Sequence, residues 1–176
     1  MGTDKDLENS TIYKAKLGNN SAFEELVRKY QKSVKVFAYA FFNNIDIADE
    51  ISQEVFIKVF ENLKKLRDVS NFKKWLFKIA RNTCISYYRK SKKHKDLLEF
   101  NEPISVSDEN IEDKLILRED IKTSLLKLSS EERKAIILVS LIGFSYKEAS
   151  EILNCPLSTV ATRVNRANKK LIKNLS

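Results

Sequence analysis

The stretch SYKEASEILNCPLSTVATRVNRANKKL, Ser145 to Leu171, carries the densest helix punctuation in the chain, and that punctuation permits few folds. The Ser145 hydroxyl can accept from the Glu148 amide while the Glu148 carboxylate accepts from the Ser145 amide, the reciprocal pattern that starts a helix. Ala149, Ile152 and Leu153 then form its buried face. Asn154 tolerates the left-handed backbone that ends a helix and Pro156 cannot continue one, so Asn154 to Leu157 reads as a turn. A second helix starts at Ser158 or Thr159 and runs to about Asn174, with Val160, Val164, Ala167 and Leu171 as its inward stripe. Helices joined by so short a turn make a helix-turn-helix, a unit whose second helix enters the DNA major groove.

The other face of that second helix is basic. Arg163, Arg166, Lys170 and Lys173 follow one another at helical spacing and could meet a line of phosphates, or could form an ordinary solvated face. Overall charge favours the first: 32 Lys and Arg against 24 Asp and Glu give a net charge of +8, which attracts polyanions. At 176 residues and 43% hydrophobic, the chain is expected to fold, and its three Gly and two Pro favour long helices. The expected fold class is all-α. Two small helical domains, 1–95 and 114–176, are joined by a flexible acidic linker over 96–113. With no signal peptide and no apolar run near the roughly eighteen residues of a membrane helix, the chain is expected in the cytoplasm without membrane insertion. Cys84 and Cys155 lack partner spacing and read as buried small side chains, neither disulfide nor metal ligands. Nothing in the sequence asks for a cofactor or metal.

In chain order, Ile12 to Leu17 reads as a short helix stopped by Gly18. Ser21 with Glu24 forms a capping box for a longer helix, whose face is Phe23, Leu26, Val27, Tyr30, Val34, Phe37, Ala38 and Phe41, ended by Asn43 and Asn44. Asp46 caps the next, Ile47 to about Leu66, with Ile51, Val55, Val59, Leu63 and Phe60 or Leu66 inward. Its outward Glu50, Gln53 and Glu54, at i, i+3 and i+4, make a compact acidic and amide patch, either plain helix solubility or a partner face.

A polar loop, RDVSN, precedes a helix from about Phe72 to Lys92. Phe72, Trp75, Leu76, Ile79, Ala80 and Thr83 can face a core, while Lys74, Lys78 and Arg81 share the other side and Tyr87, Tyr88, Arg89 and Lys90 follow. Aromatics among cations suit single-stranded nucleic acid, because bases stack on rings while cations track the backbone. A core anchor at Trp75 and cations answering the helix dipole are the plainer reading. From Asp96 to Asp113 there is no Lys or Arg. That acidic stretch either stays solvated or lies in a basic channel of a partner. Leu117, Ile121, Leu125 and Leu128 mark the next helix. Ser129 with Glu132 caps another, carrying Ala135, Ile136, Val139 and Ile142 inward to Gly143.

In this order the segments resemble bacterial sigma factors of the extracytoplasmic-function group, the two-domain promoter-recognition subunits of RNA polymerase. The resemblance runs from about Ile12 to Leu171. AKLGNNSAFEELVRKY is similar to the family's opening helices, and ADEISQEVFIKVF to the helix that docks on the polymerase clamp. FKKWLFKIARNTCISYYRK resembles the helix that melts and reads the minus-ten element. LSSEERKAIILVSLIGFSYKEASEILNCPLSTVATRVNRANKKL resembles the minus-thirty-five reader.

The resemblance implies roles. Glu50, Gln53 and Glu54, supported by Phe56, would contact the clamp helices of core RNA polymerase. Leu66, Arg67, Asp68, Val69, Ser70 and Asn71 would form the loop that accepts a flipped base, with Asn82 beside that pocket and Trp75 next to the strand. Extruding a base costs a few kcal/mol, which the pocket must offset. Lys74, Lys78, Arg81 and Arg89 would hold phosphates. Ser158, Thr159, Ala161, Thr162, Arg163, Asn165, Arg166 and Lys170 would meet the minus-thirty-five duplex. Departures from the family pattern are Ala161, where Lys or Arg is common, Ser86 in place of Asp, EASEIL for EIAEIL, and Asn165, whose amide matches adenine. The implied partners are core polymerase, promoter DNA and an anti-sigma factor, the free chain being monomeric, with no covalent chemistry of its own. A stand-alone helix-turn-helix regulator is the alternative, but it would leave the Glu50 patch and the aromatic-basic helix without a task. A nucleic-acid enzyme would need clustered carboxylates, Cys and His ligands or a Gly-rich loop, which the sequence lacks.

Overall fold

The computed structural model describes residues 4–97 and 119–175, and the secondary structure among them is helical without strand. The first unit is α1 (Asp4–Lys16), α2 (Asn20–Phe42), α3 (Ile45–Asn62), short 3-10 turns at Leu63–Lys65 and Val69–Asn71, and α4 (Phe72–Leu97). The second is α5 (Glu119–Leu126), α6 (Ser130–Ile136), a π turn at Ile137–Leu141, α7 (Tyr146–Leu153) and α8 (Leu157–Leu175).

Helix starts differ from the sequence expectation where two capping residues compete. α2 is capped by Asn19, whose Oδ1 accepts from the Ala22 amide at 2.9 Å, and not by Ser21 with Glu24. Asn43 takes the left-handed backbone (φ 53°) that closes α2, which leaves Asn44 extended to accept from Ile47 at 3.0 Å in place of Asp46. Asp46 sits instead in the first turn of α3, where its charge answers the helix dipole. α1 begins well before Ile12, and α4 runs past Lys92 to Leu97. The acidic stretch beyond Leu97, and Leu117 with it, lies outside the described residues. α3 stops at Asn62, so Phe60 is 57% exposed and Leu66 takes the inward place.

Val34, Phe37, Ile51, Val55, Leu76 and Phe77 are fully buried between α2, α3 and α4. In the second unit, Leu125, Ile137, Leu138, Ile152, Val160 and Val164 close a smaller core. The two meet: α7 packs on α4 and α6 on α2. Phe77 stands edge-on to Phe37 at 5.5 Å and to Phe144 at 5.2 Å. The π turn and Gly143 (φ 83°) reverse the chain just before Phe144 and deliver that ring to the junction. Arg133 is buried there. Its Nε donates to the Leu125 carbonyl at 2.9 Å and Nη2 to that of Leu128 at 3.0 Å, while Nη1 reaches Ala40 of α2 at 3.4 Å.

The Ser129–Glu132 capping box forms as expected, and Lys170 of α8 donates to both Glu132 oxygens at 2.9 and 2.7 Å. The Lys170 bond, with the Ser129 amide and hydroxyl, holds the Glu132 carboxyl below its ordinary 4.5. A depressed folded pKa stabilises the fold above the unfolded value, and that stability is lost as pH falls through the folded one. Glu132→Gln is therefore expected to cost ~1 kcal/mol at neutral pH and to flatten the loss of stability on acidification, read from urea midpoints between about pH 7 and pH 3. An acid limb as steep as the wild type's would locate the sensitivity elsewhere.

Candidate nucleic-acid and polymerase interfaces

The helix-turn-helix forms where its punctuation places it, except that α8 begins at Leu157 and not at Ser158 or Thr159, so that Leu157 belongs to the helix and not to the turn. Ser145 Oγ accepts from the Glu148 amide at 3.2 Å and Glu148 Oε2 from the Ser145 amide at 2.9 Å. Asn154 is left-handed (φ 52°), and the Pro156 carbonyl accepts the first amides of α8, from Thr159 at 3.0 Å and Val160 at 3.2 Å. Val160, Val164 and Ala167 are buried, with Leu171 half-buried below them. Ser158, Thr162, Asn165 and Arg166 are exposed on the opposite side, and Thr159 and Ala161 are half-buried at its flanks.

The cations of α8 divide. Arg163 turns toward α6, its Nη2 2.8 Å from Glu131, and Lys170 engages Glu132. Arg166 and Lys173 stay exposed, and Lys169, not singled out from the sequence, is exposed with them. The signal for Lys169 was present in its spacing of three and four residues from Arg166 and Lys173, which repeats at the helical period. Thr162 Oγ1 donates back to the Ser158 carbonyl at 2.9 Å, so this side of the threonine is already engaged.

Around the loop before α4, Leu66 is buried, and its carbonyl accepts from Lys16 at 2.6 Å. Asp68 organises the rest. It accepts from the Ser70 amide at 2.9 Å, the Ser70 hydroxyl at 2.8 Å and Asn71 Nδ2 at 2.8 Å. These bonds hold its carboxyl below the ordinary range, so the loop carries a fixed negative charge beside exposed Arg67. On α4, Trp75 is half-buried against Phe72, ring centroids 6.1 Å apart, part core anchor and part surface. Arg81 donates to Asn82 Oδ1 at 3.3 Å, and Arg89 is exposed further along. Lys74 and Lys78 instead point to Glu151 of α7, at 2.9 and 3.6 Å. Sequence spacing gives no sign of that partner.

On α3, Glu50 and Gln53 are exposed and Glu54 pairs with Lys58 at 2.6 Å. Tyr87 donates to Glu50 at 3.4 Å, tying the patch to α4. Beside the patch a groove of about 570 Å³ opens between α2 and α3, with Phe23, Val27, Gln31, Gln53, Phe56 and Phe60 among its lining. Gln53 belongs to both patch and groove. Phe56, 8% exposed, supports the groove from beneath, and Phe23 meets Phe60 edge-on at 5.1 Å. Both cysteines are free, and burial pushes the Cys84 thiol up to about 12. Among the described residues no helix is long and apolar enough to cross a membrane.

Two family models match the chain in sequence: sigma-70 region 2 over residues 26–94 and sigma-70 region 4 over residues 118–171. The chain is 33% identical to the ECF RNA polymerase sigma factor EcfG of Rhodopseudomonas palustris, over 79% of its length and 77% of the relative's. To the ECF RNA polymerase sigma factor SigW of Bacillus subtilis it is 30% identical, over 93% of this chain and 94% of that one. Among solved structures it is similar to the sigma factor RpoE of Bartonella quintana, determined in complex with the anti-sigma factor NepR, with a TM-score of 0.68 and 31% identity over 87% of this chain and 96% of that one. These matches extend over α3, α4 and α8, and the chain belongs to the ECF RNA polymerase sigma factors.

Proposed function

We propose that this sigma factor divides promoter recognition among the surfaces just described. Glu50, Gln53, Glu54 and Phe56 dock core RNA polymerase. The loop Leu66 to Asn71, with Trp75 and Asn82, captures the opened minus-ten strand, and Lys74, Lys78, Arg81 and Arg89 hold its phosphates. Ser158, Thr159, Ala161, Thr162, Asn165 and Arg166 face the minus-thirty-five duplex, with Lys169 and Lys173 added to their row. Arg163 and Lys170 serve first to brace α8 against α6, since Glu131 and Glu132 already take them. Residues 1–95 and 114–176 act as the separate modules, and 96–113 as the tether. Tethering turns two modest contacts into one selective one. The chain performs no covalent step. It works beside core polymerase in the cytoplasm, monomeric until it docks, and is restrained by an anti-sigma factor, as its relative from Bartonella quintana is bound by one.

The observation that carries this reading is the exposed row Ser158, Thr162, Asn165, Arg166 and Lys169 on a helix fixed by a capped turn. Its test is size-exclusion of the chain with bacterial core polymerase, followed by transcription from a fragment library with the eluted complex. Co-elution and new start sites support it. Tight duplex binding by the chain alone, without co-elution, would favour a stand-alone regulator.

Arg166→Ala is expected to weaken promoter binding by the holoenzyme by ~1–3 kcal/mol, about five- to 150-fold, because a bidentate arginine is lost from the groove. Polymerase binding should not move. A matching loss of polymerase affinity would contradict the division between α3 and α8.

A further inference from the structure

We infer that α1 is a working part of the strand-capture site and that Lys16 is its positioning residue, holding the Leu66 carbonyl so that the loop Leu66 to Asn71 stands where a flipped base can enter it. This rests on the assignment of that loop to the minus-ten strand. The chain enters and leaves the loop through two short 3-10 turns, and Leu66 (φ −64°, ψ 115°) and Asp68 (φ −121°, ψ 113°) are both extended between them. Extended backbone outside a sheet has no ladder to satisfy it, so each polar group needs a partner of its own. Several find one locally. The Leu66 amide donates to the Leu63 carbonyl at 3.1 Å, the Asn71 amide to that of Asp68 at 3.1 Å, and the Asp68 carboxylate takes Ser70 and Asn71. The Leu66 carbonyl is met from another helix, by Lys16 Nζ at 2.6 Å.

Local bonds give the loop its shape but do not decide where it stands. Its far end runs straight into α4 at buried Phe72, and its near end is held by α1 through the Leu66 carbonyl. α1 is a firm anchor. It packs on both 3-10 turns and is seated on α2 by buried Ile12 and Ala15 and by Glu8, which accepts from Tyr30 and lies 3.0 Å from Lys29. An answer to the helix dipole does not account for Lys16. Lys14, in the same last turn, gives that answer from an exposed position, whereas Lys16 is half-buried and spends its charge on a carbonyl 50 residues away. A charged donor makes a shorter and stronger bond to an oxygen than a neutral one does, and the long lysine stem spans the gap between helix and loop. At the other end of α1, Lys5 adds its charge to the bonds that hold the Asp68 carboxyl low.

Holoenzyme made from the full chain and bacterial core polymerase tests this. The probe is a promoter fragment recovered by the library transcription, its minus-ten region held open as a mismatched bubble, with an abasic site set at each position of the exposed strand in turn. One abasic position should weaken wild-type binding more than its neighbours do, marking the base that enters the loop. Lys16→Met keeps the stem and removes the donor. It is expected to weaken binding of the intact bubble by about five- to tenfold and to cancel the extra loss at the marked position. Lys16→Arg, which can donate to the same carbonyl, should restore both. Intact and abasic bubbles weakened equally by Lys16→Met would mean that Lys16 meets phosphate or only supports the fold, and would overturn the proposal while the pocket stands; an intact bubble bound as tightly as by the wild type overturns it in the same way. If no abasic position marks the wild type, the loop accepts no base, and the proposal falls together with the reading beneath it.

Discussion

Gln53→Ala combined with Glu54→Lys is expected to abolish co-elution with core polymerase while leaving the helix content of the chain as it was. Gln53 is exposed at the mouth of the groove between α2 and α3, and Glu54 lies half-buried one residue on. A docking face that is acidic on a chain of net charge +8 is matched to a basic partner, and placing a cation there sets like charges together at a cost of several kcal/mol. At 1.4 kcal/mol per decade, affinity should fall by about a hundredfold or more. Folding has little stake in either residue. Ala and Lys are both good helix formers, and the Glu54–Lys58 pair given up is a surface i, i+4 contact of no more than ~0.5 kcal/mol. Circular dichroism and polymerase co-elution separate the two effects. Undiminished docking would return the patch on α3 to ordinary helix surface.

Phe77→Ala is expected to be the most damaging single truncation of the core. Its ring is fully buried and touches Phe37 on one side and Phe144 on the other, so the cavity left behind has walls from both units and cannot close by moving one helix. Truncations of this kind cost ~3–5 kcal/mol, a large part of the ~5–15 kcal/mol that holds a domain folded. The melting temperature should drop by about 6–20 °C. Phe60→Ala makes the contrast. That ring is 57% exposed and meets Phe23 at the groove, so its loss should cost under ~1.5 kcal/mol and be felt in docking more than in melting. Equal melting shifts for the two variants would mean that Phe77 is not the keystone described.

What could be read from the sequence follows from the range of each interaction. Ser145, Asn154 and Pro156 act within four residues of themselves, so the helix-turn-helix and its turn were legible, as was the capping box at Ser129. Asn19 against Ser21 and Asn44 against Asp46 were not separable, because these side chains cap about equally well and the backbone decides between them. Most of the inward face of α4 was legible by period, but Phe77 was not, because it is buried by Phe144 of the second unit as well as by Phe37, and Trp75 and Ile79 end only half-buried. The destination of the outward lysines was not legible either: Glu151 is more than seventy residues away in the chain. The same holds for α8. Its basic row was visible, yet the turning of Arg163 and Lys170 toward Glu131 and Glu132 depends on where α6 comes to rest. On α3 the acidic patch stood out at once, while the adjoining groove needed Phe23 and Val27 from another helix to exist. The π turn left no mark in the sequence that periodicity would catch.

Arg133 decides what kind of joint the two units make. A buried cation shared between two bodies usually welds them, because pulling them apart strands a charge without partners. Here the guanidinium spends its two shorter bonds, to Leu125 and Leu128, inside the second unit and only the long one, 3.4 Å, on Ala40 of the first. Pulling the bodies apart would leave the charge on its own two carbonyls, with a single long bond for water to replace. The seam is thus demountable: it holds the two units together without making either depend on the other to satisfy a buried charge.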